Sequence, residues 1–199
     1  MRKPAPTEHP VHDLARERWS PRAFSGRPIP EAELASLLEA ARWAPSSRNS
    51  QPWRFIAAHR KERAKFDGIG GCLVDWNRGW ADGAAVLLVA CARTHDEKNR
   101  LLTHAWYDTG QAMAWMTVEA TARGLRVHQM GGFNSEKVRE ACDLPDEVEP
   151  VVVAALGYPT DPDRLAEPYR EQELAERKRH PLESIAFSGR WKEPLPTKE

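Results

Sequence analysis

The sequence predicts a single-domain α+β fold, and three observations carry that prediction. Two apolar runs, Ala84 to Ala92 and Pro150 to Leu156, are short enough for strands and almost free of polar groups, as burial on both sheet faces requires. One long stretch, Leu101 to Arg123, places Ala105, Thr109, Ala112, Met113, Met116 and Ala120 along a single helical stripe. Helical and strand patterns alternate without repeat or low-complexity tract over 199 residues, a length that one hydrophobic core serves.

Taken in order, residues 1–11 form an expected loose arm, because the first ten hold three prolines and few apolar side chains. A short helix is expected from His12 to Trp19, ended by Pro21, which pushes the residue before it out of helical geometry and leaves Ser20 in a turn. Pro30 opens the next helix, residues 31–43, in which Leu34, Leu37, Leu38 and Ala41 recur at helical spacing until Pro45 stops it. Phe55 to Ala58 reads as a short strand, and the Lys- and Glu-rich stretch behind it as a surface helix. The buried strand at Ala84 to Ala92 and the long helix follow. Gly124 caps that helix, and its small-residue stripe permits close contact with another helix and implies a surface that a partner subunit would cover. A strand at Leu125 to Gln129, a capped helix from Ser135 to Cys142 and the strand at Pro150 to Leu156 complete the domain. Beyond Gly157 the chain is charged and proline-rich. A polar helix is expected over Arg170 to Arg179, then a segment, Leu182 to Trp191, with too little core of its own and suited to wrapping a partner subunit. The domain is therefore bounded at 12–187, with 188–199 as a tail.

Composition excludes several classes. Lys plus Arg and Asp plus Glu number 29 each, so no global positive field favours nucleic acid or an anionic membrane surface, and any anion site must be local. No segment approaches the ~18 apolar residues of a membrane span. Cys72, Cys91 and Cys142 are odd in number and lie in no CxxC pattern, which suggests neither a disulfide framework nor a zinc site and fits a reducing cytoplasm. No two of the seven histidines stand at the i, i+4 spacing of a helical metal site. GxSxG, GxGxxG and GxxxxGK[ST] loops are lacking, which leaves a hydrolase triad without an anchor. Most of the eight tryptophans are expected in packing, with Trp53 and Trp80 as the exceptions.

Four local patterns have chemical content. Arg18-Trp19-Ser20-Pro21-Arg22 sets two guanidinium forks around a hydroxyl, which suits phosphate; a solvated basic turn reads the same. Pro45-Ser46-Ser47-Arg48-Asn49-Ser50-Gln51 concentrates neutral donors and acceptors, as a polar heterocycle and a polyol chain need, or as an ordinary turn supplies for its own backbone. Met130-Gly131-Gly132-Phe133 offers backbone amides with no Cβ in the way, or a plain strand-to-helix turn. Arg177-Lys178-Arg179-His180 is a cationic cluster that would equally meet the negative end of a helix dipole.

Together and in this order, RWSPRAF, APSSRNSQPW, YDTGQAMAWMTVEATARGL, HQMGGF and ERKRHPLESI resemble the nitroreductase family of FMN enzymes over residues 12–187. The resemblance implies a mixed sheet flanked by helices, a homodimer with the long central helix at its interface, and FMN in a cleft between subunits. It implies hydride transfer from NADH or NADPH through FMN to a small acceptor such as a nitroaromatic or quinone. No side chain then serves as a dedicated catalytic residue, and no metal is needed. Arg18, Trp19, Ser20 and Arg22 would hold the FMN phosphate and ribityl chain, with Arg177 and Arg179 reaching the same phosphate. Pro45, Ser46, Ser47, Asn49 and Gln51 would come from the other subunit. Asn77 would lie near the ring, and Met130, Gly131 and Gly132 would present amides near N5 and O4. Two other readings stay open at this point. One is the same fold with another flavin reaction (dehydrogenation, dehalogenation or fragmentation of the flavin); the other is a flavin carrier or sensor without turnover.

Overall fold

The computed structural model describes residues 2–196; Met1 and residues 197–199, the extreme ends of the predicted arm and tail, lie outside them. The elements run α1 (Asp13–Glu17), α2 (Glu31–Arg42), β1 (Trp53–His59), α3 (Arg63–Gly70), α4 (Asp75–Ala81), β2 (Val86–Arg93), α5 (Ala105–Ala122), β3 (Arg126–Met130), α6 (Ser135–Ala141), β4 (Val148–Gly157) and α7 (Tyr169–Leu174). The α+β class holds.

The four strands form one sheet in the order β1-β2-β4-β3. Each pairing is antiparallel, with Val89 of β2 opposite Ile56 of β1 and Val153 of β4. The sheet of the described chain is thus not mixed in direction, contrary to expectation. The reason lies in the connections: β1 returns beside itself through α3 and α4 to β2, and β3 returns through α6 to β4. Strands β2 and β3 do run the same way, but β4 is inserted between them, and α5 makes the crossover over it.

Burial of β2 on both faces explains its continuous apolar run. Val86, Leu88 and Ala90 enter a core with Leu34, Leu37 and Ala41 of α2 and Ala112, Met113, Met116 and Ala120 of α5. The alternate residues Leu87, Val89 and Cys91 enter a second core with Phe66 and Ile69 of α3, Trp80 of α4 and Val138 of α6. The sheet is therefore sandwiched between α2 and α5 on one side and α3, α4 and α6 on the other.

Several expectations are corrected. The stripe from Ala105 to Ala120 is covered by the chain's own sheet and α2, so it is not the surface left for a partner. The apolar surface that α5 leaves exposed is its opposite side, with Tyr107 (67% exposed), Trp115 (51%) and Val118 (44%), near Gly110, whose missing Cβ would meet nothing within 4 Å. α1 ends at Glu17, and α7 ends at Leu174, because Ala175 turns to extended backbone at φ −55°, ψ 144°. Arg177 and Arg179 therefore lie beyond the helix and not at its end. α4 had no counterpart in the sequence pattern. Trp53 and Trp80 are core residues, as is Trp19, while Trp43, Trp76, Trp106, Trp115 and Trp191 are the exposed ones. Within the arm, the Ala5 amide donates to the Arg16 carbonyl at 2.8 Å.

Candidate functional site

The site is built where α1 stops. Arg18 leaves helical geometry at φ −66°, ψ 127°, while its amide still closes the last turn on the Leu14 carbonyl at 3.1 Å. Trp19 then turns into the protein as a 5% exposed anchor, which fixes the turn that carries Ser20, Pro21 and Arg22. Two distant elements hold the turn from behind. Glu173 of α7, 2% exposed, accepts from the Arg22 amide (2.9 and 3.1 Å) and the Ala23 amide (3.2 Å). His128 of β3 donates from Nδ1 to the Pro21 carbonyl at 2.9 Å and packs against Trp80 with the rings tilted by 36° and their centroids 4.4 Å apart. Burial pushes the His128 imidazole down to about 4, assisted by the charges of Arg22 and Arg18, so it is neutral and stays the donor.

The C-terminal segment closes the site. Arg177 donates to the Lys3 carbonyl at 2.7 Å and the Arg16 carbonyl at 3.1 Å, and the Lys3 ammonium donates to the Glu173 carbonyl. Arm, turn and C-terminal segment thus clasp one another. Between them Arg18, Trp19, Ser20, Arg22, Arg177 and Arg179 line one cavity of about 280 Å³. Arg18, Arg177 and Arg179 also border a second cavity of about 740 Å³ beneath His9, Val11 and Ile185.

Electrostatics sets this cluster apart from a solvated basic turn. Burial, and then the charges of Arg177, Arg179 and Arg126, lower the proton affinity of the Arg18 guanidinium. Burial and Arg179 do the same to Arg177, and burial does so to Lys3. Glu173, the nearby buried acid, is committed to backbone amides. The cations are therefore held together, partly desolvated, at a cost that a bound anion would relieve. Trp19 Nε1, Arg22 Nε and Trp80 Nε1 are buried with no hydrogen-bond partner among the described residues, and orphaned donors of this kind call for an acceptor. A phosphate ester with a polar chain fits this donor set. The basic patterns at 18–22 and 177–179 line this one cavity together.

The second group lies apart. Ser46 precedes a turn at Ser47–Asn49, and Arg48, Asn49 and Gln51 all adopt left-handed backbone, with φ of 53°, 54° and 45°. The Gln51 amide donates to Ser46 Oγ at 3.1 Å and the Gln51 side chain to the Asn49 carbonyl at 3.1 Å. Pro45 and Asn49 are exposed, while Ser47 and Ser50 face a cavity of about 400 Å³ at the start of α5.

The third group is packed against itself. Asn77 of α4 donates from its side chain to the Gly132 carbonyl at 3.0 Å, and that carbonyl also accepts from the Val74 amide at 3.1 Å. A Cβ on Gly132 would stand 2.7 Å from Asn77 Nδ2 and 2.9 Å from Val74 Cγ2, so glycine there lets α4 approach. Gly131, by contrast, faces open space, and Met130 is buried in the core. Sequence reasoning missed Lys3, Glu173, His128 and Asp108. Lys3 and Glu173 stand in no local pattern, and His128 and Asp108, though inside the quoted HQMGGF and YDTGQ stretches, take their roles from tertiary contacts that those stretches do not record.

A model of the nitroreductase family matches residues 15–70 and 72–158. A solved structure described as an oxidoreductase containing FMN superposes with a TM-score of 0.89 at 36% identity, covering 94% of this chain and 96% of that one. An uncharacterised 15.4 kDa protein of Mycolicibacterium smegmatis is 38% identical over 130 residues, 65% of this chain and 86% of its own length. The FMN reductase [NAD(P)H] of Bacillus subtilis is 28% identical over 70% of this chain, a match that spans 62% of that reductase. With the fold, the basic turn and the C-terminal cations in place, the chain belongs to the nitroreductase family.

Proposed function

We propose that the protein is a homodimeric FMN-dependent oxidoreductase that passes hydride from NADH or NADPH to a small organic acceptor such as a nitroaromatic or quinone. The observation that supports this reading is the gathering of the partly buried Arg18 and Arg177 and the exposed Arg179 around one cavity, with buried, unpartnered donors on Trp19 and Arg22 in its lining. FMN, when bound, supplies the hydride chemistry.

The chain's own residues bind and orient. Arg18, Ser20 and Arg22 take the phosphate from one side, and Arg177 and Arg179 from the other, in charge-assisted bonds whose planar forks fix direction as well as charge. Glu173 and His128 keep Arg22 and Pro21 in place, so these donors are arranged before the ligand arrives. Gly131, exposed and open where a Cβ would stand, would let the backbone amides of this turn approach the flavin and favour its reduced form, with Asn77 holding the adjoining turn. The turn at Ser46, Ser47, Asn49 and Gln51 lines the partner's flavin, and the apolar side of α5 at Tyr107, Trp115 and Val118 meets the partner. Cys72, Cys91 and Cys142 are free thiols, which a reducing cytoplasm would preserve; burial pushes Cys91 up to about 12.

Anaerobic titration of the FMN-loaded protein with NADH and then NADPH tests the activity. Bleaching of the flavin band by at least one nicotinamide, and its return on addition of a quinone, is expected. A flavin that neither nicotinamide reduces would leave a carrier or sensor as the better description.

A further inference from the structure

We infer that Asp108 is a positioning residue that ties the flavin-facing turn at Ser46–Ser50 to the interface helix, so that cofactor binding and subunit docking are coupled through one buried carboxylate. The inference rests on the reading of that turn as a flavin wall. Asp108 stands in the first turn of α5 and is 2% exposed, a place where a carboxylate is rare unless it is paired or hydrogen-bonded. Its Oδ2 accepts from the Ser47 amide at 3.0 Å. Every other hydrogen bond of residues 46–50 found among the described residues is local to residues 46–51: Asn49 amide to Ser46 carbonyl, Ser50 amide to Ser47 carbonyl, Gln51 amide to Ser46 Oγ and Gln51 side chain to Asn49 carbonyl. The turn also holds two non-glycine residues, Arg48 and Asn49, in left-handed backbone, which persists only where surrounding contacts enforce it. The 400 Å³ cavity between the turn and the start of α5 leaves few packing contacts to do so, and Asp108, in its lining, supplies the direct bond from α5 to the turn. Its neighbour Tyr107 is on the exposed apolar side of the same helix. Asp108 thereby links the helix that carries Tyr107 to the Ser47 amide, and through it to Ser46 and Asn49.

The test compares Asp108→Ala with Asp108→Asn, which keeps an acceptor oxygen but no charge. FMN affinity is read from quenching of flavin fluorescence, and amide exchange is followed at residues 46–50. Asp108→Ala is expected to weaken FMN binding at least about tenfold and to speed exchange at Ser47, with Asp108→Asn restoring affinity to within about threefold of the parent. Wild-type affinity in Asp108→Ala overturns the inference, as does equal weakening in both variants. Should Asp108→Ala fail to fold, fast exchange of the Ser47 amide in the parent protein would overturn it independently. Failure of the flavin reading itself looks different, since the parent protein would then bind no FMN at all.

Discussion

Replacing Gly132 by alanine adds one methyl group in the tightest contact between α4 and the turn after β3. The new Cβ would lie 2.7 Å from Asn77 Nδ2 and 2.9 Å from Val74 Cγ2. Asn77 can swing away, but that breaks its 3.0 Å bond to the Gly132 carbonyl; Val74 is β-branched and has less room to give. Overpacking costs about 1 to 3 kcal/mol and a lost hydrogen bond about 0.5 to 1.5, so a net loss of about 2 kcal/mol is expected. For a chain of this size that corresponds to a fall in Tm of roughly 4 to 8 °C. Gly131→Ala is the paired control, because nothing lies within 4 Å of its added Cβ. It should stay within about 0.5 kcal/mol of the parent in urea unfolding of the flavin-free protein, yet weaken FMN binding if a ligand approaches there. Equal stability of Gly132→Ala and the parent would refute the packing argument. A loss of stability in Gly131→Ala with unchanged FMN affinity would invert the two roles.

Glu173→Ala leaves the Arg22 and Ala23 amides without their shared acceptor and should cost about 3 kcal/mol in denaturant unfolding, from two charge-assisted bonds each worth about 1.5 to 3 with partial relief by water. His128, held at about 4 against 6.5 unfolded, contributes stability that is fully present above pH 6.5 and is lost as pH falls through 6.5 toward 4. Unfolding at pH 7 and pH 4 should therefore differ less in His128→Asn than in the parent, by at most about 3 kcal/mol; an identical pH dependence would show that His128 is not buried neutral. Val118→Arg places a charge on the exposed apolar side of α5 and should convert a species near twice 22.5 kDa into one near 22.5 kDa in light scattering, with loss of flavin absorbance. A monomer that keeps its full complement of FMN would rule out the shared site.

The readable parts of this fold are those where burial imposes a uniform pattern. β2 and β4 are covered on both faces, so their apolar runs needed no periodicity to be recognised. α4 was not legible because its seven residues include two tryptophans and a glycine whose reason is tertiary. A Cβ on Gly79 would stand 2.2 Å from the Tyr169 hydroxyl, a contact that no local pattern records. The stripe on α5 was read with the right period and the wrong neighbour. Both sides of this helix are apolar, and periodicity does not say which side faces the chain's own sheet. The same division holds for the site. Arg18, Ser20 and Arg22 are adjacent in sequence and could be read as an anion turn. Lys3 and Glu173, 170 positions apart, meet only through the clasp of arm and C-terminal segment.

The central claim is that Arg18, Arg22, Arg177 and Arg179 form a cage for the terminal phosphate of FMN. Titration of the flavin-free protein with FMN and with riboflavin, which differ by that phosphate alone, tests it most directly. The account predicts that riboflavin binds weaker by at least about a hundredfold, since losing two charge-assisted contacts costs about 3 kcal/mol or more. Equal affinity for the two flavins would contradict it.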